Sequence, residues 1–571
     1  MIELVINSKL LGTRDVCETV DINPVFTGIL CSSGLVVRSL LMLIHWGLKK
    51  NVEAVMSQSA IDLAILISRV ESICAEMGAV LQHAAFSPNI KDRLDYSCAL
   101  FDAQGQLFAQ AAHIPVHLGS MAYAMADIVD GIVWRPGDML VLNDPFLGGT
   151  HLPDVTVVAP LFVDGELISF VANRAHHANI GADTPGSMPL SRSLEDEGLI
   201  IPPTLMVRDG VLVPEAQALF DSLQGVDTHG DIAAQLSANR VGLARLEGLI
   251  VEHPVDWFQQ GVERINNYGE RLALAGLADI PAGIYHFEDV MDGDGFDAVD
   301  VVIKLALHVD QHGVLADFTG TAGQVSGNIN CPLSVAAAAV YYVIRCLLPD
   351  QTPACAGTFR CIRIQAPPGC LLNAQRPAAT AAGNVETSMR IVDVMLGALA
   401  QAIPDKVPAA SQGTMNNVAM GSHQQPVWDY YETLAGGMGA SLGQPGLHVV
   451  QSHMTNTLNT PIESLERHYP LRIREYSIRR GSGGRGAMSG GDGLVREFEF
   501  LAPTQVTLLT DRRGHGPWGL AGGEAGACGR NWLDGVELPA KAQISVTAGQ
   551  ILRIETPGGG GYGAAPDILL G

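Results

Sequence analysis

The sequence predicts an α+β fold, a mixed multi-layer architecture with several β-hairpins and sheets packed against helices. Two features of the 571-residue chain point there: hairpin signals clustered in its first third, and helical periodicities set apart from them rather than alternating with every strand. Hydrophobic residues make up 47% and charged residues 16%, enough to bury a sizeable core and too apolar for a disordered chain. At roughly 100–200 residues per domain, the length suggests about three domains or two large ones.

The elements follow in order. Residues 1–55 carry no motif and read as an unmatched extension, consistent with a start assigned too far upstream. From Met56, "SQSAIDLAILISRVESICAEMGAVLQHAAFSP" places Leu66, Val70, Ile73, Met77 and Leu81 at helical spacing. Ser59, with Asp62 three residues on, predicts the N-cap of that helix. "YSCALFDAQGQLFAQAA" reads as a hairpin about Gly105, and "GDMLVLNDPF" as a strand. "VTVVAPLF" and "LISFVANRAHH" flank Asp164–Gly165, the strongest hairpin signal in the chain. Residues 190–280 read as mixed helix and 285–330 as strands. "PLSVAAAAVYYVIRCLL" and "VETSMRIVDVMLGALAQAI" read as helices, and the chain beyond 440 as strand- and glycine-rich. Three parts result: 1–55, a 56–280 α+β region, and 281–571, a second α+β region.

Net charge is −24, which argues against nucleic acid and anionic membranes as partners. The ten cysteines show no C-x-x-C and read as reduced thiols, pointing to the cytoplasm. The most apolar early run, "TGILCSSGLVVRSLLMLIHWGLKK", is interrupted by Arg38 and two serines. It lacks the clean apolar length of a membrane span and the layout of a signal peptide.

"THLPDVTVVAPLFVDGELISFVANRAHHANIG" sets chemistry at both ends of the strongest hairpin. With the turn centred between Asp164 and Gly165, Asp154 falls opposite Ala175 and His176 opposite Pro153. His151, Asp154 and His176 then converge at the hairpin's open end. Two imidazoles and a carboxylate with positions left open suit a catalytic divalent metal such as Zn, Mn or Fe. The alternative is a loop-capping His151 and a satisfied core His176. His177 should face the other side of the strand. Asp92, Arg93, Asp95, His113, His117, Asn143 and Asp144 end nearby strands or turns; five of 17 histidines lie between 113 and 177.

These stretches resemble the hydantoinase B family: "AAFSPNIKDRLDYSCALFDAQGQLFAQAAHIPVHLGSM", "LNDPFLGGTHLPDVTVVAPLF" and "NRAHHANIG". Further matches are "EGLIIPP", "DFTGTAGQVSGNIN", "AGNVETSMRIVDVMLGAL", "NTPIESLE", "YPLRIREYSIRRGSGGRG" and "ETPGGGGYG", so the resemblance runs from about residue 57 to the end. The family includes the B-type subunits of ATP-dependent N-methylhydantoinases and caprolactamase, part of 5-oxoprolinase, and α-subunits of acetone and acetophenone carboxylases. It implies metal ligation by His151, Asp154 and His176. Asp95 would be a ligand or general base, and His177 or His117 would orient an intermediate. It also implies a hydantoinase A-type partner that uses ATP and Mg, hence a hetero-oligomer.

The function so implied is ring opening of a hydantoin, 5-oxoproline or lactam, with this chain supplying a metal-activated water to an amide phosphorylated by the partner. A ketone carboxylase α-subunit is the second reading, and a scaffold with a purely structural metal the third. Asn179 stands where many relatives carry Asp. "DFTGT" resembles an actin-like phosphate loop, but no second loop accompanies it and it reads as a structural turn. "DGDGFD" lacks the ligand pattern of a calcium loop. "PGGGG" reads as a flexible loop, and Glu386 and Arg390 as an i, i+4 pair. The arginines of "RIREYSIRRGSGGRG" either pair internally or bind an anion.

Overall fold

The computed structural model describes residues 34–565 except 112, 222 and 224–226, with side chains from residue 59 except, in addition, 118 and 227. Residues 1–55, read from the sequence as an extension, fall largely outside the described residues. The chain divides into two units, Met1–Ile65 and Leu66–Gly571, and every sheet belongs to the second.

Helix α1 spans Gly34–Ala84, so Ser59 lies inside it and is not its N-cap. The local capping signal loses because the helical pattern continues upstream of it. Leu66, Val70, Ile73, Met77 and Leu81 are all buried, as their spacing requires.

A seven-stranded antiparallel sheet carries the residues of interest. Its strands are β1 (Tyr96–Asp102), β2 (Leu107–Gln110), β3 (Met139–Leu142), β4 (Asp154–Val163), β5 (Glu166–His176), β6 (Thr204–Arg208) and β7 (Val211–Leu212). They run in the order β2-β1-β5-β4-β3-β6-β7. Strands β6 and β7 lie in the 190–280 stretch read as mixed helix; the pair is short and half-exposed, with no run of alternation to announce it. The long pair β4–β5 sits inside the sheet, and most of its side chains are buried on both faces. That explains continuous apolar runs where a half-exposed hairpin would alternate.

Helix α2 (Pro115–Asp130) meets one face at β1, and α5 (Leu333–Leu347) packs on α2 and α6 (Ser388–Leu399) on α5 in the same helical layer. Helix α3 (Asp227–Val251) covers the other face at β4 and β5, followed by α4 (Val255–Leu277). Beyond α6 lies a second sheet, of β8 (Gly283–Gly293), β9 (Val299–Asp310), β10 (Gly313–Asp317) and β11 (Ile362–Gln365), in the order β11-β10-β9-β8. One apolar cluster joins these layers: Phe101, Leu142 and Phe170 from the first sheet, Met125 from α2, Val340 from α5, Met395 from α6, and Ile303 and Leu307 from the second sheet. Helices α2 and α5 approach closely at Gly119, where a Cβ would stand 2.5 Å from Ala338 Cα. Two further sheets, of four and five strands, form from residues 417–555 around a smaller core that includes Phe498, Val506 and Leu552.

Among the described residues no helix is long and apolar enough to cross a membrane, and the described cysteines are free. "PGGGG" is not a flexible loop: Gly558–Gly561 are buried, and a Cβ on Gly558 would stand 1.9 Å from Ser482 O. Glycine is used there for close backbone packing. Glu386 and Arg390 do not pair. Glu386 accepts from Met415 N and Asn417 Nδ2, while Arg390 reaches Asp511 at 2.9 Å. Arg472 and Arg474 meet Glu499, and Arg479 meets Glu555, so these arginines pair internally. Asp317 accepts from Thr319 N in a tight turn, and Asp294 from Phe296 N and Ala298 N.

Candidate metal centre

Asp154 starts β4 and His176 ends β5. Their turn is Asp164–Gly165, both at positive φ (51° and 86°), as a two-residue hairpin turn demands. Beside the turn, Val163 faces Glu166 and Phe162 faces Leu167, as centring on Asp164–Gly165 requires. A β-bulge then leaves Ile168 without a partner, and from Leu161–Ser169 onward the register moves by one. Asp154 therefore faces His176 itself rather than Ala175, which draws the cluster tighter.

His151 sits in the turn before β4, where Asp154 N donates to His151 O. Asn143 holds this turn, donating to Leu152 O and Leu199 O and accepting from Ile201 N. Asp154 Oδ1 lies 3.0 Å from His151 Nε2 and 3.2 Å from His176 Nδ1. Asp154 Oδ2 accepts from Thr150 Oγ1 at 2.6 Å and Asn384 Nδ2 at 3.1 Å, and lies 3.1 Å from His117 Nε2. All of these side chains are buried.

The residues fit a divalent cation. One ligand atom from each of His151, Asp154 and His176 lies within 4.8 Å of the others. His151 Nδ1 is 3.1 Å from the carbonyl of Ala381. A carbonyl only accepts, so that nitrogen carries the proton and Nε2 keeps its lone pair, the arrangement of a metal-ligating histidine. Nε2 of both His151 and His176 is buried without a hydrogen-bond partner. An orphaned buried nitrogen costs roughly 1–3 kcal/mol, which a ligand bond offsets.

The carboxylate at the centre of the cluster is held as an anion. Burial penalises the Asp154 carboxylate, yet His151 and His117 hold it well below its ordinary range. Burial alone would discharge His151, but Asp154 raises it; His176 is lowered, chiefly by burial. Glu197 is pushed up to about 7 by burial, against donors from Ala381 N, Ser191 and Thr380 N. Its Oε1 accepts from both backbone amides and so fixes the carbonyl that orients His151.

His117, near the start of α2, stands 4.0 Å from Asp95 Oδ1, and Asp95 lies 3.9 Å from buried Arg93. Arg93 donates to Tyr431 O, and the Tyr431 ring stacks on His176 at 4.9 Å. A cavity of about 20 Å³ opens among Asp95, His117, His176, Asn384 and Tyr431, room for one water.

The structure thus brings together His151, Asp154, His176, His117 and Asp95. It does not bring His177 to the cluster: that ring lies behind the sheet, 2.9 Å from Gln235 Oε1 on α3. His113 accepts from Cys98 N, and Asp144 caps a short turn at Phe146. Asn179 donates to Asp429 and caps its own loop at Gly181 N, away from the cluster. Sequence reasoning missed Thr150, Asn384 and Tyr431. Thr150 adjoins His151 and was open to suspicion; nothing local marks Asn384 or Tyr431.

Comparison with known proteins gives one answer. Hydantoinase B/oxoprolinase sequences match residues 59–565. 5-oxoprolinase 1 of Arabidopsis thaliana is 38% identical over 88% of this chain and 42% of its own length. The chain thus spans less than half the 5-oxoprolinases it matches. A protein of Pseudomonas sp. (strain NS671), named as the B-type subunit of a D-/L-hydantoinase, is 32% identical over 91% of both chains. The structure of ATP-dependent caprolactamase from Pseudomonas jessenii superposes with a TM-score of 0.82 at 26% identity, over 89% of this chain and 92% of that one. With a family match across most of its length, this chain belongs to the hydantoinase B/oxoprolinase family.

Proposed function

We propose that this chain is the B-type subunit of an ATP-dependent cyclic-amide hydrolase, opening a hydantoin, 5-oxoproline or lactam ring. The buried His151–Asp154–His176 set, with two orphaned imidazole nitrogens beside a water-sized cavity, carries the reading. The 5-oxoprolinase, hydantoinase and caprolactamase relatives are named for cyclic amides, and those names supply the substrate class. A divalent cation (Mn, Zn or Fe) held by these three residues would supply Lewis acidity, polarising an oxygen or acidifying water.

The chain's own groups do the rest. An unactivated amide is a poor electrophile, and the described residues contain no paired phosphate loops, so an A-type partner using ATP and Mg would phosphorylate the amide oxygen. Water in the small cavity then attacks the activated carbon. Asp95, at its edge, takes the proton and returns it to the ring nitrogen as the C–N bond breaks, and a second water hydrolyses the acyl phosphate so formed to carboxylate and phosphate. His117, between Asp95 and Asp154, orients the reacting group. Tyr431, Val385 and Met415 keep bulk water from the cavity. His177 acts only as a positioning residue behind β5.

The test is reconstitution. The purified chain alone should release negligible phosphate from ATP and open no ring. With a hydantoinase A-type subunit, both should appear, coupled, through an interface above about 1,000 Å². Robust ring opening by the isolated chain without ATP would refute the division of labour.

A further inference from the structure

Across the start of α2 from the metal centre lies a cavity of about 640 Å³, the size of a small-molecule site. Its walls are apolar and aromatic where Ala338, Tyr341, Tyr342 and Phe359 line it. Ser68, Ser72, His113 and Asn456 also line it, and three further polar groups bear on what it can hold. Arg345, on α5, has a buried Nη1 with no hydrogen-bond partner. Gln110, at the end of β2, has a buried Oε1 with no partner. Glu71, on α1, contributes an exposed carboxylate at the rim. Arg345 and Glu71 sense each other electrostatically but form no ion pair with one another among the described residues.

This pattern is costly without a ligand. A largely buried guanidinium keeps its charge at any ordinary pH and calls for an anionic or carbonyl acceptor. An orphaned amide oxygen calls for a donor, and so does a carboxylate at the rim. Facing one cavity, these groups present a cationic donor and two acceptors beside an apolar wall. The complementary ligand carries a carboxylate, an ammonium and an aliphatic stem.

We propose that this cavity binds a small zwitterionic amino acid, its carboxylate on Arg345, its ammonium on Glu71 and Gln110, and its stem against Tyr341, Tyr342 and Phe359. Opening a lactam yields a molecule of this class. The assignment comes from the cavity's own lining, however, and stands whether or not the hydrolase reading holds.

Titration calorimetry of the full chain, without partner or ATP, tests it with L-glutamate and 6-aminohexanoate as probes and butanoate and butylamine as single-charge analogues. At least one amino acid should bind saturably, at least tenfold more tightly than either analogue. Arg345→Met and Glu71→Gln should each weaken it at least tenfold, and Arg345→Lys less than Arg345→Met, with circular dichroism confirming the fold. His176→Ala, which alters only the metal centre, should leave this binding unchanged. The proposal is overturned by absence of saturable binding for both probes, by equal binding of the analogues, or by binding that survives Arg345→Met and is lost in His176→Ala. Loss of hydrolysis with binding intact would count against the hydrolase reading alone.

Discussion

Glu386 offers a measurement on the segment that carries Asn384 to Asp154. It lies in a π-helical turn, Gly383–Thr387, that leads into α6, and it is fully buried. Burial, seconded by the charge of Asp511, pushes its carboxyl from 4.5 up to about 8, despite Lys541 nearby. Asp511 stays ionised: burial opposes its charge, but Lys541 and Arg390 hold it down to about 2. In the unfolded chain Glu386 ionises near 4.5; in the fold it keeps its proton to about pH 8. Between those values the folded state binds more protons, so this group's stabilising contribution falls as pH rises. At 1.36 kcal/mol per pH unit, the loss across the whole window is on the order of 5 kcal/mol, with about 3 kcal/mol gone by pH 7. Glu386→Gln removes the titration and keeps the Oε1 acceptor that Met415 N (2.9 Å) and Asn417 Nδ2 (2.7 Å) use. Urea unfolding followed by circular dichroism should give the two proteins similar stability near pH 4.5. The variant should gain progressively up to pH 8, where it leads by several kcal/mol. Parallel stability curves across that range would refute a protonated Glu386.

The other predictions concern the metal centre and the chain's first residues. His176→Ala should purify without stoichiometric divalent metal by elemental analysis while keeping its far-ultraviolet dichroism, whereas His177→Ala should keep its metal; full occupancy in His176→Ala would sink the ligand assignment. Asn384→Ala should weaken metal affinity by about 10–100-fold, measured by chelator competition, because it removes a donor that orients the Asp154 carboxylate. A chain begun at Met56 should be soluble and bind metal as the full chain does, since the family match begins at residue 59; its failure to fold would show that residues 1–55 are needed.

What could be read from sequence was what lies close together along the chain. His151, Asp154 and His176 sit within one hairpin, and Asp164–Gly165 fixes where it folds back, so their convergence followed from pairing alone. The one-residue error came from Ile168. Leu167, Ile168 and Ser169 are equally suited to a strand, and nothing among them announces which is left unpaired. That choice depends on the neighbouring ladder. Ser169 must face Asp102 on β1 as well as Leu161 on β4, and the bulge satisfies both. A slip of one residue moves every side chain to the opposite face. The bulge therefore places His176 against Asp154 and sends His177 to Gln235.

The surroundings of the trio were illegible for a different reason. Asn384 reaches Asp154 across 230 residues, and Glu197 reaches Thr380 and Ala381 across 183 and 184. The helical pattern of residues 388–399 was plain, but not the π-helical turn that precedes it. That turn presses against Asn330, whose carbonyl oxygen would stand 1.9 Å from a Cβ on Gly383. Only glycine allows this approach, and it is the approach that brings Asn384 within 3.1 Å of Asp154. The division has a chemical consequence. Ligand identity is encoded locally, in one hairpin, whereas the groups that orient those ligands come from five distant segments: β1 and the turn before it, α2, the loop at Glu197, the turn at Gly383 and the strand bearing Tyr431. A substitution in the hairpin removes the metal. A substitution in a distant segment leaves the ligands in place and changes how firmly they are aimed, so the two classes separate in metal content before they separate in activity.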